Sequence, residues 1–549
     1  MMLLLRPGIG LYPKIKSHGR KIGTALVLIA WLFSTIACSQ GYVSNFDLTA
    51  TALFSNGGVG GGDPQLETPT ADAATPENTL EPVIATTQAA EETASSTPQN
   101  IQPTLTSTNT TPVPPILYYT QAGDTLPAIA VRFGVEQADI TSNEQFNVVG
   151  FIPAGKLLII PNVLGEIGPS DQMIPDSEIV FSPSAIGFDI DSIVKDAGGY
   201  ISTYREYMAD GWTSGANVVM KVAIENSINP RLLLALVEYQ AGWVYGQPGN
   251  LALTDYPMGY VNREKKGLYK QLSWAVQQLS IGYYGWREGI LTSIIFNNGD
   301  QMRLSPSINA GTAAIEYLFA VLNTRDTWTN VLFGNENFGS LYDRMYGNPW
   351  LRAQTVEPLL PVNLTQPDLQ LPFLPARVWS FTGGAHSAWG PNGARAALDF
   401  APSSMESGCV DSDDWIASVA TGLVVRSANG VVVIDLDGDG YEQTGWAVMY
   451  LHVKSQGRVA LGAWVEKGTL IGHPSCEGGV ATGTHVHIAR KYNGEWVMAG
   501  GPLPFVMDGW VAQAGEKPYE GTLTRDGVII EACTCGSYET RILRPRESN

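Results

Sequence analysis

The spacing of apolar residues changes five times along the chain. Near the start, Ile22 to Ala37 form an uncharged, mostly apolar run preceded by Arg6, Lys14, Lys16, Arg20 and Lys21. The run is shorter than the ~20 residues of a comfortable membrane span and fits an export segment. From about 39 to 115 the pattern vanishes: TPTADAATPENTLEPVIATTQAAEETASSTPQN is rich in Thr, Ala, Pro, Glu and Ser. That composition cannot bury enough apolar area to offset ordering entropy, which predicts a disordered tether. Order begins at Ile116. Over 116–162 the pattern reads strand, helix, helix, strand: Tyr118–Thr120 extended, Asp124 or Thr125 capping a helix that runs through Phe133, a second helix from Ile140, a turn at Pro153, and a strand over Leu157–Ile160. From 175 to 350, ANVVMKVAIENS, PRLLLALVEYQAGW, YKQLSWAVQQLSIGYYGWREG and NAGTAAIEYLFAVLN repeat apolar residues at i, i+3, i+4 and i+7, which predicts amphipathic helices. Asn229-Pro230 marks a helix start. A proline-rich stretch, 351–376, reads as a linker. From Arg377 to 515 the period shortens to short apolar runs between Gly turns, including a hairpin turning at Ala428-Asn-Gly and the strands WAVMYLHV, TLIGH and THVHIAR. The expected architecture is therefore multidomain: an antiparallel β domain preceded by a mainly helical domain and a small βααβ unit, with 516–549 as a C-terminal extension.

Charge narrows the partners. The chain of 549 residues carries a formal net charge of -19, with pI about 4.7. No basic stripe is available to neutralise phosphates, which argues against nucleic acid. Adhesion to anionic wall polymers by simple attraction is disfavoured for the same reason. Apart from Cys38, the cysteines are Cys409, Cys476, Cys533 and Cys535. An even number in an exported chain suggests disulfides, and four cysteines allow three pairings. Cys409 with Cys476 is favoured because both lie among the β runs. A Cys533–Cys535 bridge would close a tight ring, and free thiols are the alternative.

Six histidines are few for this length, and five fall within 377–515. His386 precedes Asp399 by thirteen residues in GGAHSAWGPNGARAALDFAP, His452 ends MYLH, and His485 and His487 form GTHVHIAR. On a strand, residues two apart share a face, so His485 and His487 project together while Thr484, Val486 and Ile488 point the other way. Two imidazoles and a carboxylate suit a zinc ion with a fourth position open to water. No H-E-x-x-H is present. His473, in LIGHPSCEGG, reads as a turn or wall residue. Asp435, Asp437 and Asp439 begin like a calcium loop, but Trp446 occupies the twelfth position, where an EF-hand needs Glu, so Ca2+ fits less well than a solvated hairpin tip.

Four resemblances give these residues a setting. Cys38 after the apolar run resembles a bacterial lipoprotein signal (1–38), with Thr35 where that motif usually has Leu; it implies lipidation at Cys38 and a location on the outer face of the cytoplasmic membrane, the alternatives being ordinary cleavage or an uncleaved anchor. Residues 116–162 resemble a LysM domain, which implies binding to N-acetylglucosamine-containing glycans through loops holding Gly123, Asp124, Thr125, Phe151, Ile152 and Pro153. INPRLLLALVEYQAGW and SPSINAGTAAIEYL resemble lytic transglycosylases of the lysozyme-like fold. Gln240 stands where that family has its catalytic Glu, which implies lost glycosidase chemistry, because an amide supplies no proton to a leaving group. Finally, GGAHSAWGPNGARAALDFAP, MYLH and GTHVHIAR resemble the lysostaphin/β-lytic family of zinc metalloendopeptidases, closest to its β-lytic branch. That likeness implies zinc on His386, Asp399 and His487, catalytic roles for His452 and His485, and cleavage of peptide cross-links in peptidoglycan. The alternative is a non-enzymatic wall-binding protein that recruits another hydrolase.

Overall fold

The computed structural model describes residues 113–146, 148–209, 211–404 and 406–546. The export segment, Cys38 and nearly all of the tether lie outside them. Among the described residues, no helix is long and apolar enough to cross a membrane.

The first unit is a two-stranded antiparallel sheet, β1 (Ile116–Tyr119) and β2 (Leu157–Ile160), enclosing helix α1 (Leu126–Phe133). Thr125 caps α1 by accepting from the Ala128 amide, and Gly134 ends it in the left-handed region. Tyr118, Ile129, Phe133, Ile152 and Leu158 fill a small core of their own. The second helix expected from Ile140 is absent. In its place a single 3₁₀ turn, Gln137–Asp139, ends where Ile140 turns extended, and Thr141 bonds to Ile159 beside β2.

The second body is mainly helical, and its longer helices include α2 (Ile190–Ala197), α3 (Gly215–Asn226), α4 (Pro230–Ala241), α5 (Leu268–Arg287) and α6 (Ala310–Leu322). Asn229 caps α4 by accepting from the Arg231 amide, with Pro230 in the first turn. The sequence pattern predicts α4 as amphipathic, yet Leu232 through Val237 are all fully buried. A stretch buried on every side lies at the centre of its domain, and only Arg231 and residues 238 to 240 of α4 are partly exposed.

The third body is a nine-stranded antiparallel sheet. Its strands are β3 (Val378–His386), β4 (Ala397–Pro402), β5 (Gly422–Ala428), β6 (Val431–Asp435), β7 (Trp446–Leu451), β8 (Trp464–Val465), β9 (Val486–Tyr492), β10 (Glu495–Trp496) and β11 (Arg541–Leu543). They run in the order β8-β5-β6-β7-β9-β4-β3-β11, with β10 also paired to β9. Phe400, Val432, Ile434, Val448 and Ile488 enter a core shared with the flanking strands and loops. The opposite face, through Ala397, Val433, Met449 and Ala489, joins the core of the helical body. Strands buried on both faces read as continuous apolar runs, as β6 and β7 do.

Two boundaries move. The stretch read as a linker, 351–376, contributes Leu369, Leu371 and Phe373 to the sheet's core, so its second half is packed chain. The segment read as an extension, 516–549, supplies edge strand β11 and the hairpin arm Gly521–Arg525, because the outer edge beside β3 needs a partner for its backbone groups.

Candidate metal centre

Asp399 sits in β4 directly opposite His487 in β9, and its other neighbour in β3 is Gly383. A side chain at Gly383 would place its first carbon 2.6 Å from an Asp399 carboxylate oxygen, so glycine is what leaves room for the acid. His386 ends β3 after a register shift that brings its ring over the same spot. The result is a triangle of atoms: His386 Nε2 to His487 Nδ1 is 3.0 Å, and each lies 3.2 Å from Asp399 Oδ1. All three residues are buried.

Each imidazole has one nitrogen committed. His386 Nδ1 donates to the Gly384 carbonyl at 2.7 Å and His487 Nε2 to the Ala388 carbonyl at 3.0 Å. Those bonds leave His386 Nε2 and His487 Nδ1 as bare lone pairs facing each other and a carboxylate oxygen that has no hydrogen-bond partner. Three buried acceptors in mutual contact need a cation. In a tetrahedral site with bonds of about 2.0–2.1 Å, ligand atoms lie roughly 3.3 Å apart, close to the spacing seen. The donor set therefore fits a zinc ion. Burial works to raise the Asp399 pKa, but His386 and His485 hold it well below the usual carboxylate range. Burial works against the charged form of His386, yet Asp399 carries its pKa above the ordinary value.

The other two histidines stand beside this triangle. His485 Nε2 is 3.8 Å from Asp399 Oδ1, and the His452 and His485 rings are 4.5 Å apart. Their Nδ1 atoms are also committed, His485 to the Gly483 carbonyl at 2.7 Å and His452 to the Glu477 carbonyl at 2.9 Å. His452 lies just past β7 with φ at +66°, a conformation rare for a residue with a side chain, which turns its ring towards the site. Burial and the neighbouring His485 and His487 push its pKa well below the ordinary value, so it is neutral at physiological pH. A disulfide between Cys409 and Cys476 ties together the two loops that hold these rings. Gly408 accepts from the Thr484 amide, and Glu477 follows Cys476. Cys533 and Cys535 are bonded to each other.

Tyr519 is a neighbour that the sequence motifs do not reveal. Its ring stacks on His386 at 4.1 Å between centroids. It stands in the hairpin loop 515–520, which reaches the site because Gly384 lacks a side chain: a carbon there would lie 2.3 Å from the Glu520 carbonyl. Burial and the Asp399 charge push its pKa up to about 12.

The other residues singled out in the sequence lie apart from this cluster. Asp124 and Ile152, read as glycan-groove residues, are enclosed: Asp124 accepts from Tyr118 and pairs with Arg132, and Ile152 is core. Gly123, Thr125 and Phe151 line an open cavity, and the Pro153 carbonyl accepts from Thr120. His473 stacks on Trp415 and bonds to the Asp414 carbonyl, outside the cluster. Asp435, Asp437 and Asp439 converge, but they accept from backbone amides of their own turn. Glu238, near Gln240, is occupied accepting from the amides of Val244 and Tyr245.

Residues 172–361 match the family model described as LasA, N-terminal domain. Over 350 residues the chain is 28% identical to Protease LasA of Pseudomonas aeruginosa, covering 61% of this chain and 78% of that protein. Among solved structures, similarity is found to the M23 metalloprotease pseudoalterin from the deep sea, at 24% identity over 30% of this chain and 95% of that one, with a TM-score of 0.26. It is also found to the catalytic domain of the antimicrobial peptidase lysostaphin from Staphylococcus simulans, at 18% identity over 22% and 87%, with a TM-score of 0.17. The similarities are to peptidases, and the helical body, for which a lysozyme-like fold was expected, falls within the match to the N-terminal domain of LasA.

Proposed function

We propose that the protein is an exported zinc-dependent endopeptidase that cleaves peptide cross-links of peptidoglycan. The observation that carries this reading is the triangle of bare donor atoms on His386, Asp399 and His487, with two further imidazole lone pairs beside it. The similarity to Protease LasA supports the peptidase class.

His386 Nε2, His487 Nδ1 and Asp399 Oδ1 would hold the ion. Zinc when bound supplies Lewis acidity towards a carbonyl and brings the pKa of water near 7. The protein's own groups then move protons. His485 Nε2 and His452 Nε2 are unprotonated while their Nδ1 atoms donate to carbonyls, so either accepts a proton from the attacking water. Once protonated, the same nitrogen returns the proton to the leaving amine. Tyr519 keeps its phenolic proton at working pH and fixes the plane of His386 by stacking.

The N-terminal unit is proposed to deliver the enzyme to wall glycan, with Cys38 as lipid anchor. The helical body, with Gln240 in place of an acid, is assigned to holding or spacing rather than to glycan cleavage.

Incubation of the exported chain with purified peptidoglycan, followed by mass analysis of fragments, tests this. New amino termini are expected, lost with chelator, restored by zinc and absent in His485→Ala. Asp399→Asn is expected to lower bound zinc below one ion per chain. New reducing sugar ends would place the chemistry in the helical body instead, and binding without fragments would mean a recruiting protein.

A further inference from the structure

One end of the helical body carries exposed apolar side chains beside uncovered positive charge. A hairpin of strands Arg205–Met208 and Gly211–Ser214 leads into α3, and Tyr207 pairs across it with Trp212. The two rings meet edge to face at 5.5 Å between centroids, yet they are 58% and 74% exposed. The hairpin is tied to the start of α5, where Glu206 accepts from the Tyr269 amide and the Tyr204 hydroxyl from that of Leu268. The chain before α5 is tied in turn to a short helix, Leu251–Asp255. Lys266 pairs with Asp255 at 2.8 Å, and the Gly267 amide donates to the Asp255 carbonyl. Leu251, one helical turn before Asp255, is 85% exposed, and Val261 is 71% exposed. Four large apolar side chains thus stand uncovered on segments that are bonded to one another.

Local charge runs against that of the whole chain. The protein carries -19 overall, but residues 256–270 hold Arg263, Lys265, Lys266 and Lys270 against Glu264 alone. Among the described residues, Lys266 is the one of these four bases that forms an ion pair. Arg205, two residues before Tyr207 and on the same hairpin face, forms none. Apolar side chains scattered singly over a surface call for no partner, but aromatic and aliphatic side chains set among unpaired bases suit one that is anionic at its surface and apolar beneath. A polyphosphate chain would engage the bases and leave Leu251 and Val261 in water.

We propose that this face docks the helical body on an anionic lipid surface, with Trp212, Tyr207 and Leu251 entering the interface and the unpaired bases meeting headgroup phosphates. Rings with one apolar body and one polar group partition to that depth. The rest of the acidic surface is repelled by the same lipids, which orients the chain. α3 starts at Gly215, directly after the hairpin, and beyond its far end Ser227 bonds to the Gly494 carbonyl beside β9. Twelve helical residues span about 18 Å, so the sheet stands at the opposite end of α3 from the docking face. Docking of this kind needs the patch alone, whatever the chemistry at the metal centre and whether or not Cys38 carries lipid.

The test is hydrogen exchange of the full chain, read peptide by peptide, with vesicles of phosphatidylcholine alone and of phosphatidylcholine mixed with phosphatidylglycerol. Reading by peptide separates this face from any anchor at the N-terminus. Exchange is expected to slow over 205–214 and 251–270 on the mixed vesicles and to stay unchanged on phosphatidylcholine. The Arg263→Glu, Lys265→Glu double variant should need at least tenfold more lipid for the same protection. Trp212→Ser should shift the requirement in the same direction, with the melting temperature unchanged because the ring is mostly in solvent. Should Trp212→Ser not fold, Leu251→Ser repeats the apolar test. No slowing over these segments, equal slowing on both vesicles, or parent behaviour in both variants would overturn the assignment. So would slowing without lipid that grows with protein concentration, which would mean a second copy on this face. Polyglycerol phosphate that protects the same segments as well after Trp212→Ser would give the patch to a wall polymer instead.

Discussion

At the scale of single residues, the site is governed by which imidazole nitrogen holds the proton. In all four rings a backbone carbonyl takes one N–H, at 2.7 to 3.0 Å, and the other nitrogen faces inward. The carbonyl of Glu477 does this for His452, and the Cys409–Cys476 bond fixes the strap that carries Glu477. The Cys409→Ser, Cys476→Ser double variant should therefore lower kcat about tenfold, a fraction of the 10²–10⁴ contributed by a positioned proton-transfer group. Bound zinc, measured alongside kcat, should stay near that of the parent, because no metal ligand sits on that strap. A second residue acts on stability. Glu316 in α6 is fully buried with neither carboxylate oxygen bonded, and burial pushes its pKa up to about 8. The folded state keeps the proton that the unfolded chain releases near 4.5, so stability falls as pH rises from about 4.5 to 8 and levels above. Glu316→Gln should flatten that fall, worth a few kcal/mol, in urea unfolding measured across the range.

At the scale of elements, the metal ligands lie on the sheet face that packs against helices. Ala397 precedes Asp399 by two residues and Ala489 follows His487 by two, and both are buried in the helical core. Their small side chains let the helical body approach the face that bears the ligands. Ala489→Leu should therefore overpack this contact and cost about 1–3 kcal/mol in denaturant unfolding. Ala512, buried in the other core, is not expected to share that helical contact. The same face explains a difference in pattern. Partly exposed positions recur along α5, whereas residues 232 to 237 of α4 are buried without a break and only Arg231, Glu238, Tyr239 and Gln240 reach the surface in part.

At the scale of the whole molecule, one buried cluster ties the three bodies together. Arg287 donates to Ala122 of the first unit and pairs with Asp176 and Glu495. Its side chain is 7% exposed and that of Glu495 is 2%. Glu495→Ala removes a partner and leaves buried charge poorly matched, which should destabilise by about 3–5 kcal/mol. Hydrogen exchange should then rise over both 116–160 and the end of α5, since the same guanidinium holds each. An increase confined to 486–496 would mean that the junction is not coupled.

What the sequence determined was local. Strand parity placed His485 and His487 on one face and Val486 and Ile488 on the other, because the side-chain period of a strand is two. The spacing of His386, Asp399, His452 and the H-x-H pair marked the donor set, because few chemistries need those residue types together. Tertiary structure decided what depends on chain brought in from far away. Tyr519 reaches His386 only through the gap at Gly384, and no period or motif encodes that meeting. Asp124 and Ile152 became core once the first unit closed over them. The packing of helices on the ligand-bearing face, and the cavity where the three bodies meet, come from burial of apolar faces that could each have found another partner.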